Sequence, residues 1–357
     1  MTKVAVISDT HWGVRNDNIA FMDMTKKFLD NTFFPALQSR TIKHIIHLGD
    51  LVDRRKQISY QTANRLQKDF LDRIQLENIR ATFIVGNHDC YYKNTNKINA
   101  MTELVVGKYS NIDCYIDPKD DVNIEGYRTI LLPWICDENR VESLRLINES
   151  KASICLGHLE IMGFEMYRGS ASTQGENRKA FDKFNSTLSG HFHHRSSDGC
   201  ITYVGSHGEF TWSDYDDPRG FHIFDLRTQE LEFIQNPYNM FSKIWYDDSN
   251  TTLENILKFD TEIYAGKIIK IIVKNKQNPY WFDMFCSKLE KTGPISMQIV
   301  EDHLNLNLED DQEIINEAES TLDIFKKHIS LIDTNRVNLY KLERVIEDLY
   351  NQALTVE

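Results

Sequence analysis

The sequence predicts a mixed α/β protein with its chemistry at strand ends, and three observations predict it. Short apolar strands alternate with amphipathic helices over the first hundred residues. The second and third strands run straight into glycine turns that carry Asp50 and Asn87. Beyond residue 112 many short strands follow, and after Asn236-Pro237 comes a small strand–helix–strand module with an amphipathic tail.

Residues 3–8 are a short buried strand. Residues 18–40 read as a helix with Phe21, Met24, Phe28 and Leu29 as its apolar positions. Residues 42–48 form a second strand, ending in Gly49-Asp50. Residues 57–78 form a helix with Ala63, Leu66, Phe70, Leu71 and Ile74 along one side. Residues 81–85 form a third strand, ending in Gly86-Asn87. Strands alternating with helices imply parallel pairing through right-handed crossovers. In such sheets the ligand sits beyond the carboxyl ends of the strands.

The short strands are expected at 112–116, 127–132, 153–156, 186–189, 201–204, 221–225 and 230–234, interrupted by a helix at 137–149. The polar, glycine-containing stretch 163–180 reads as a loop near the site. In the small module, strands at 267–273 and 295–300 flank a helix at 280–291. An acidic link at 307–312 leads to two apolar stripes. Ile314, Ala318, Leu322, Phe325, Ile329 and Ile332 form one, and Leu342, Ile346, Leu349 and Ala353 the other, with Asp333-Thr334-Asn335 as turn and cap. Helices this short need a body or a partner to pack on. The expected units are 1–237, 238–305 and 306–357.

Composition excludes several classes. With 41% hydrophobic and 26% charged residues the chain is an ordinary globular mix. No apolar run approaches the length of a membrane span. The first residues lack the apolar core of a signal peptide, so a cytoplasmic protein is expected. Six scattered cysteines without a C-x-x-C pair argue against a zinc ribbon or a disulfide scaffold. The net charge of −12 is uneven: +5 over 1–100, −10 over 101–250, +2 over 251–300 and −9 over 301–357. An acidic chain is a poor stand-alone binder of a polyanion, so metals or a partner must supply positive charge if the substrate is nucleic acid.

Five blocks place metal-ligating side chains beside glycine or at a strand end. They are Asp9-Thr10-His11, Gly49-Asp50-Leu51-Val52-Asp53, Gly86-Asn87-His88-Asp89, Gly157-His158 and Gly190-His191-Phe192-His193. In an extended segment residues i and i+2 point the same way, so Asp9 and His11 can grip one ion, and so in principle can His191 and His193. Asp9, His11, Asp50, Asn87, His158, His191 and His193 make seven candidate ligands. Seven is too many for one ion and suits two divalent ions sharing the Asp50 carboxylate. Oxygen and nitrogen donors without sulfur favour Mn²⁺, Fe²⁺ or Zn²⁺ over Mg²⁺. Such a pair performs metal-assisted phosphoester hydrolysis. His88 lies outside the ligand count and is free to stabilise the phosphorane or protonate the leaving oxygen. Asp53 and Asp89 are expected to orient their neighbours. His47, His222 and His303 read as structural, His207 as a loop residue near the site, and His194 as a side chain that could face the groove. Arg54-Arg55-Lys56 is the candidate grip on a phosphate backbone, weighed against a solvated turn.

These blocks resemble the calcineurin-like metallophosphoesterases. Within them the chain resembles the SbcD-type DNA nucleases, their T-even-phage form in particular. The resemblance is carried by Ser8-Asp9-Thr10-His11-Trp12-Gly13, Gly49-Asp50-Leu51-Val52-Asp53, Ile84-Val85-Gly86-Asn87-His88-Asp89, Tyr92-Lys93-Asn94, Leu132-Pro133-Trp134, Gly190-His191-Phe192-His193 and Asp217-Pro218-Arg219-Gly220-Phe221. It covers about residues 1–235. It implies a four-layer β-sandwich flanked by helices, with a small α/β capping domain and a C-terminal helical pair. By the same resemblance Asp9, His11, Asp50 and His193 hold one metal, Asp50, Asn87, His158 and His191 the other, both Mn²⁺, and His88 is catalytic. It further implies double-strand exonuclease and single-strand or hairpin endonuclease activity. A homodimer through 60–74 and 99–109 is implied, as is docking of 313–354 on an SbcC-type ATPase. Protein serine/threonine phosphatases share the second block, but they have glycine where Trp12 stands and glutamate where Asp89 stands. The alternatives are a phosphatase or phosphodiesterase for a small molecule or phosphoprotein, and an interaction subunit that is inert without its ATPase.

Overall fold

The computed structural model describes residues 2–301 and, beyond them, Lys341 alone. His303, the acidic link and both C-terminal stripes lie outside the described residues.

Apolar runs bounded by glycine turns become the central strands. Lys3–Ile7 (β1), His44–His47 (β2), Arg80–Ile84 (β3) and Ile112–Tyr115 (β4) pair in parallel, in that order. The crossover from β1 to β2 is one helical run, Ile19–Phe28, a π-turn at Leu29–Phe33, then Phe34–Ser39. The π-turn sits directly before Pro35, which cannot donate a backbone bond and whose ring pushes the preceding turn outward. The next crossover repeats the pattern at Tyr60–Leu66, Gln67–Leu71 and Asp72–Leu76. Phe28, Phe33, Phe34, Phe70 and Leu71 cover one face of the sheet, against Ile7, Ile45 and Phe83.

The second sheet is built from Lys119–Ile124 (β5), Tyr127–Leu132 (β6), Ile154–His158 (β7), Ser186–Gly190, Ser196–Ser197 and Ile201–Tyr203. A small hairpin, Glu165–Tyr167 (β8) with Ser170–Ala171 (β9), precedes the last three, which are therefore β10, β11 and β12. The order is β11-β12-β10-β7-β6-β5, with β12, β10, β7 and β6 parallel. The chain then returns to the first sheet. Gly220–Asp225 (β13) pairs antiparallel with β1, and Leu231–Gln235 (β14) with β13. Parallel pairing thus holds for the centre of that sheet and fails at one edge.

The two six-stranded sheets face each other across Val4, Val6, Ile46, Leu48, Leu131, Ile154, Leu156 and Leu188. The helix Arg140–Glu149 and the Phe181–Phe184 turn cover the outer face of the second sheet. The layers are helices, sheet, sheet and helix, the four-layer sandwich expected.

Several elements depart from the reading of the sequence. β5 was not expected. It is the edge strand Lys-Asp-Asp-Val-Asn-Ile, with only Val122 and Ile124 fully buried, so it lacks an apolar run. The stretch 163–180 is not all loop, since it holds the β8–β9 hairpin and a 3₁₀ turn at Arg178–Phe181. Phe241–Asp247 (β15) was not expected either. It joins Ile268–Asn275 (β16) and Ser296–Val300 (β17) in a parallel sheet of order β15-β16-β17. Helices Leu253–Lys258 and Pro279–Lys291 cover one face of that sheet through Ile256, Phe282, Phe285 and Leu289. Its join to the body is apolar, with Phe21, Trp212, Met240 and Phe241 packed together. The buried Glu209 carboxylate accepts the Met240 and Phe241 amides at 2.7 and 2.8 Å. Among the described residues no helix is long and apolar enough to cross a membrane.

Candidate metal centre

The carboxyl ends of β1, β2 and β3 carry Asp9, Asp50 and Asn87. β7 ends on His158, and the turn after β10 carries His191 and His193. Parallel pairing places Gly190 level with His158, so the second sheet delivers its histidines to one edge. The first two blocks are laced together, with the Asp9 amide donating to Gly49 at 3.0 Å and the His11 amide to Asp50 at 3.1 Å.

Close approach depends on glycine. A Cβ on Gly86 would stand 2.2 Å from Asp50 Oδ1, and one on Gly49 2.4 Å from His158 Nδ1. The blocks are not extended: Asp9 and His11 still converge as expected, but His191 and His193 do not share a direction. Asp9, His11, Asp50 and His191 have φ of 51°, 42°, 54° and 89°, the left-handed region that side chains with a Cβ seldom adopt. Such strain concentrates at functional sites. It turns His191 away from His193. Ligand atoms of Asp9, His11 and His193 lie within 4.8 Å of one another, those of Asp50, His158 and His191 form a second such group, and those of His11, Asp53 and His88 a third that shares His11 with the first.

Asp50 stands between the groups, its Oδ2 3.8 Å from His11 Nε2 and 3.3 Å from His158 Nε2. Asn87 Oδ1 is 2.9 Å from both His158 Nε2 and His191 Nδ1. His158 Nδ1 lies 2.7 Å from the Leu48 carbonyl, which can only accept, so Nδ1 carries the hydrogen and Nε2 faces the cluster. His11 Nε2 and His193 Nε2 approach to 3.0 Å. Acceptors therefore converge on two points.

The electrostatics agree. Burial pulls the His11 pKa down, but the Asp53 hydrogen bond and the charges of Asp50, Asp53 and Asp9 push it up to about 10. For His158, burial is outweighed by Asp50 and Asp9, and the pKa is pushed up to about 9. Burial opposes ionisation of Asp50, yet His158 and His88 hold its carboxyl well below the usual range. Burial raises the Asp9 carboxyl and, with the His158 charge, drops His191 to about 3. The carboxylates of the cavity call for positive charge, which protons on His11 and His158 supply in part. A site of this donor set fits two divalent cations.

Around it, Asp89 Oδ1 accepts the Leu51 and Val52 amides and Oδ2 accepts the Gly86 amide at 2.8 Å, tying the second block to the third. Asp53 Oδ1 lies 3.4 Å from His11 Nδ1. The Asp53 carbonyl accepts from His88 Nδ1 at 2.6 Å, and the His88 amide donates to Asp50 Oδ1 at 2.8 Å. The basic trio is split. Arg54 bonds Asn16 and Asp17, Arg55 Nη1 is buried without a hydrogen-bond partner, and Lys56 is exposed beside the Tyr91 ring. His194 pairs with Asp217 at 2.8 Å. His207 is buried against Thr25, His47 against Thr10, and His222 is buried in the first sheet.

Three contributors had no assigned role. Arg219, paired with Asp214 and Asp217, donates to the His193 carbonyl, and Trp134 packs 5.0 Å from His191. Both fall in motifs quoted above. Phe210, whose ring lies 5.5 Å from His11 and 5.7 Å from His193, left no sequence signal.

Residues 2–195 match the model of the calcineurin-like phosphoesterases. The chain is 31% identical over 334 residues to exonuclease subunit 1 of Enterobacteria phage T4, covering 92% of this chain and 93% of that protein. It is 26% identical over 268 residues to the SbcD subunit of the SbcCD nuclease of Staphylococcus saprophyticus, covering 64% and 67% respectively. Among solved structures, an archaeal phosphodiesterase overlays with a TM-score of 0.31 at 14% identity, over 66% of this chain and 99% of that one.

Proposed function

The chain belongs to the calcineurin-like phosphoesterase family, and from that membership and the geometry of its centre we propose that it is a two-metal DNA nuclease. One observation carries the reading: ligand atoms of Asp9, His11 and His193 gather at one point and those of Asp50, His158 and His191 at another, with Asn87 Oδ1 beside the second and Asp50 Oδ2 3.8 Å from His11 of the first. Asp9, His11, Asp50 and His193 would hold one ion, and Asp50, Asn87, His158 and His191 the other. Donors without sulfur suit Mn²⁺. When bound, two such ions lower the pKa of a water and neutralise a phosphodiester.

The protein's own groups do the rest. Asp53 and Leu48 fix the protonated nitrogens of His88 and His158 through backbone carbonyls. His88 thereby keeps Nε2 for the scissile phosphate, where it stabilises the phosphorane or protonates the leaving oxygen. Asp89 holds the second and third blocks in register while doing neither.

DNA is proposed as the substrate because both curated relatives are named as nucleases. This chain would cut duplex ends as an exonuclease and hairpins or single strands as an endonuclease. Both are also named as subunits. We extend this to an SbcC-type ATPase bound through 313–354, and to a homodimer through 60–74, which begins at the almost fully exposed Tyr60, and 99–109. Residues 1–237 would then be the nuclease unit and 238–305 its cap.

The test is Mn²⁺-dependent cleavage of a hairpin-ended duplex, run beside Asp50→Ala and bis-p-nitrophenyl phosphate. Cleavage that Asp50→Ala removes is the expected result. Turnover of the small ester with no DNA cleavage, even with the ATPase added, would overturn the nuclease reading.

A further inference from the structure

The β15–β16 sheet has two faces, and only one is covered by its helices. On the other face, Lys243 of β15 and Lys270 of β16 are register partners, two like charges abreast. Such pairs are destabilising unless something offsets them. Here aromatic rings do. Lys270 Nζ sits 4.4 Å over Trp212, and Lys243 Nζ 4.8 Å over Tyr215. Further along the same face Lys274 Nζ sits 4.7 Å over Trp245. One face of the sheet thus sets three lysines against three aromatic rings, with Lys270 and Trp212 buried at its inner end and Lys274 and Trp245 exposed at the other.

The inner end of this face joins the buried core beside the metal centre. Phe241, on the same face of β15, packs 4.8 Å from Trp212, two residues from Phe210, whose ring lies against His11 and His193. Trp245 stands four residues beyond Phe241, roughly 13 Å along the strand. Trp212 and Lys270 are buried, whereas Tyr215 and Lys243 are half-buried and Lys274 is exposed. Trp245 is 53% exposed, unusual for a ring of that size and enough to present a face.

We propose that this face binds single-stranded DNA, with Trp245 and Tyr215 stacking unpaired bases and Lys243 and Lys274 following the phosphates. The proposal rests on the nuclease reading above. Exposed rings interleaved with cations are the means by which proteins hold single strands without reading sequence. A duplex keeps its base faces inside the stack and cannot use them. The track would therefore hold the unpaired part of a substrate whose scissile phosphate lies at the metals.

The test uses the full chain, with EDTA present so that nothing is cut. Anisotropy measures binding of labelled oligothymidylate and of a blunt duplex of equal length. Trp245→Ala should weaken single-strand binding about tenfold and leave duplex binding unchanged, with Trp245→Phe recovering most of the loss. Lys274→Gln should lower the salt slope of single-strand binding by about one. Single-strand affinity unmoved by both substitutions, or an equal loss on duplex and single strand, would overturn the track. Loss of ATPase binding at unchanged single-strand affinity would reassign the face to a protein and overturn it too. Cleavage of the hairpin-ended duplex with Mn²⁺ restored separates the two readings. A wild type that cuts DNA while Trp245→Ala binds normally refutes the track alone, and a wild type that neither binds nor cuts refutes both.

Discussion

His88 is the residue whose role is set most by its surroundings. A carbonyl takes its Nδ1 hydrogen and its amide holds Asp50, so the ring is anchored to the centre without being counted in it. His88→Ala should therefore lower cleavage by roughly 10²–10⁴, the usual worth of a positioned acid or base, while two equivalents of Mn²⁺ remain bound after desalting. Loss of a metal equivalent would make His88 a ligand and end its assignment as the catalytic histidine. Residues like this were legible in the sequence because few side chains can serve such chemistry and glycine marks where the turns must close. Phe210 was not, because a phenylalanine against two imidazoles is ordinary core composition until the fold brings them together. The left-handed backbone at Asp9, His11 and His191 was hidden as well, since Asp and His adopt it only when the surrounding structure enforces it.

At the scale of elements, alternating strands and helices could be read because both faces of a central parallel strand are buried and its apolar run is continuous. β5 and β15 lack that signature, β5 having only two buried apolar residues and β15 alternating buried with exposed positions, which is why both passed unnoticed. The joint before β15 makes a separate prediction. Burial pushes the Glu209 carboxyl up to about 7, although the Phe241 and Met240 amides favour its charge. A carboxyl raised in the folded state stabilises fully below its unfolded value near 4.5, and the stabilisation is lost as pH rises through about 7. Between about pH 4.5 and pH 7 the joint should loosen and then stay loosened at pH 8. The Met240 and Phe241 amides should exchange faster at pH 8 than the known base dependence of exchange accounts for, and Glu209→Gln should remove that excess. An excess that persists in Glu209→Gln would place its origin elsewhere.

For the molecule as a whole, the layers were foreseeable and the ligand geometry explains why they matter. Asp9, Asp50 and Asn87 come from one sheet, and His158, His191 and His193 follow strands of the other. Ions at this edge would bridge two sheets that otherwise meet through apolar packing and a few hydrogen bonds, such as that from His158 Nδ1 to the Leu48 carbonyl. They also place positive charge in a chain of net −12 that must approach a polyanion. Ligand binding to the folded state alone stabilises it by mass action, about 2.7 kcal/mol at a free concentration one hundred times Kd. For a chain of this size that is a rise of a few degrees in the unfolding midpoint. Mn²⁺ should produce that rise in the wild type and in His88→Ala alike, because His88 lies outside the ligand set. Asp50→Ala should lose most of it, because the carboxylate shared by both groups is gone. An equal rise in Asp50→Ala would mean that Mn²⁺ stabilises the chain from somewhere other than the edge where the two sheets meet.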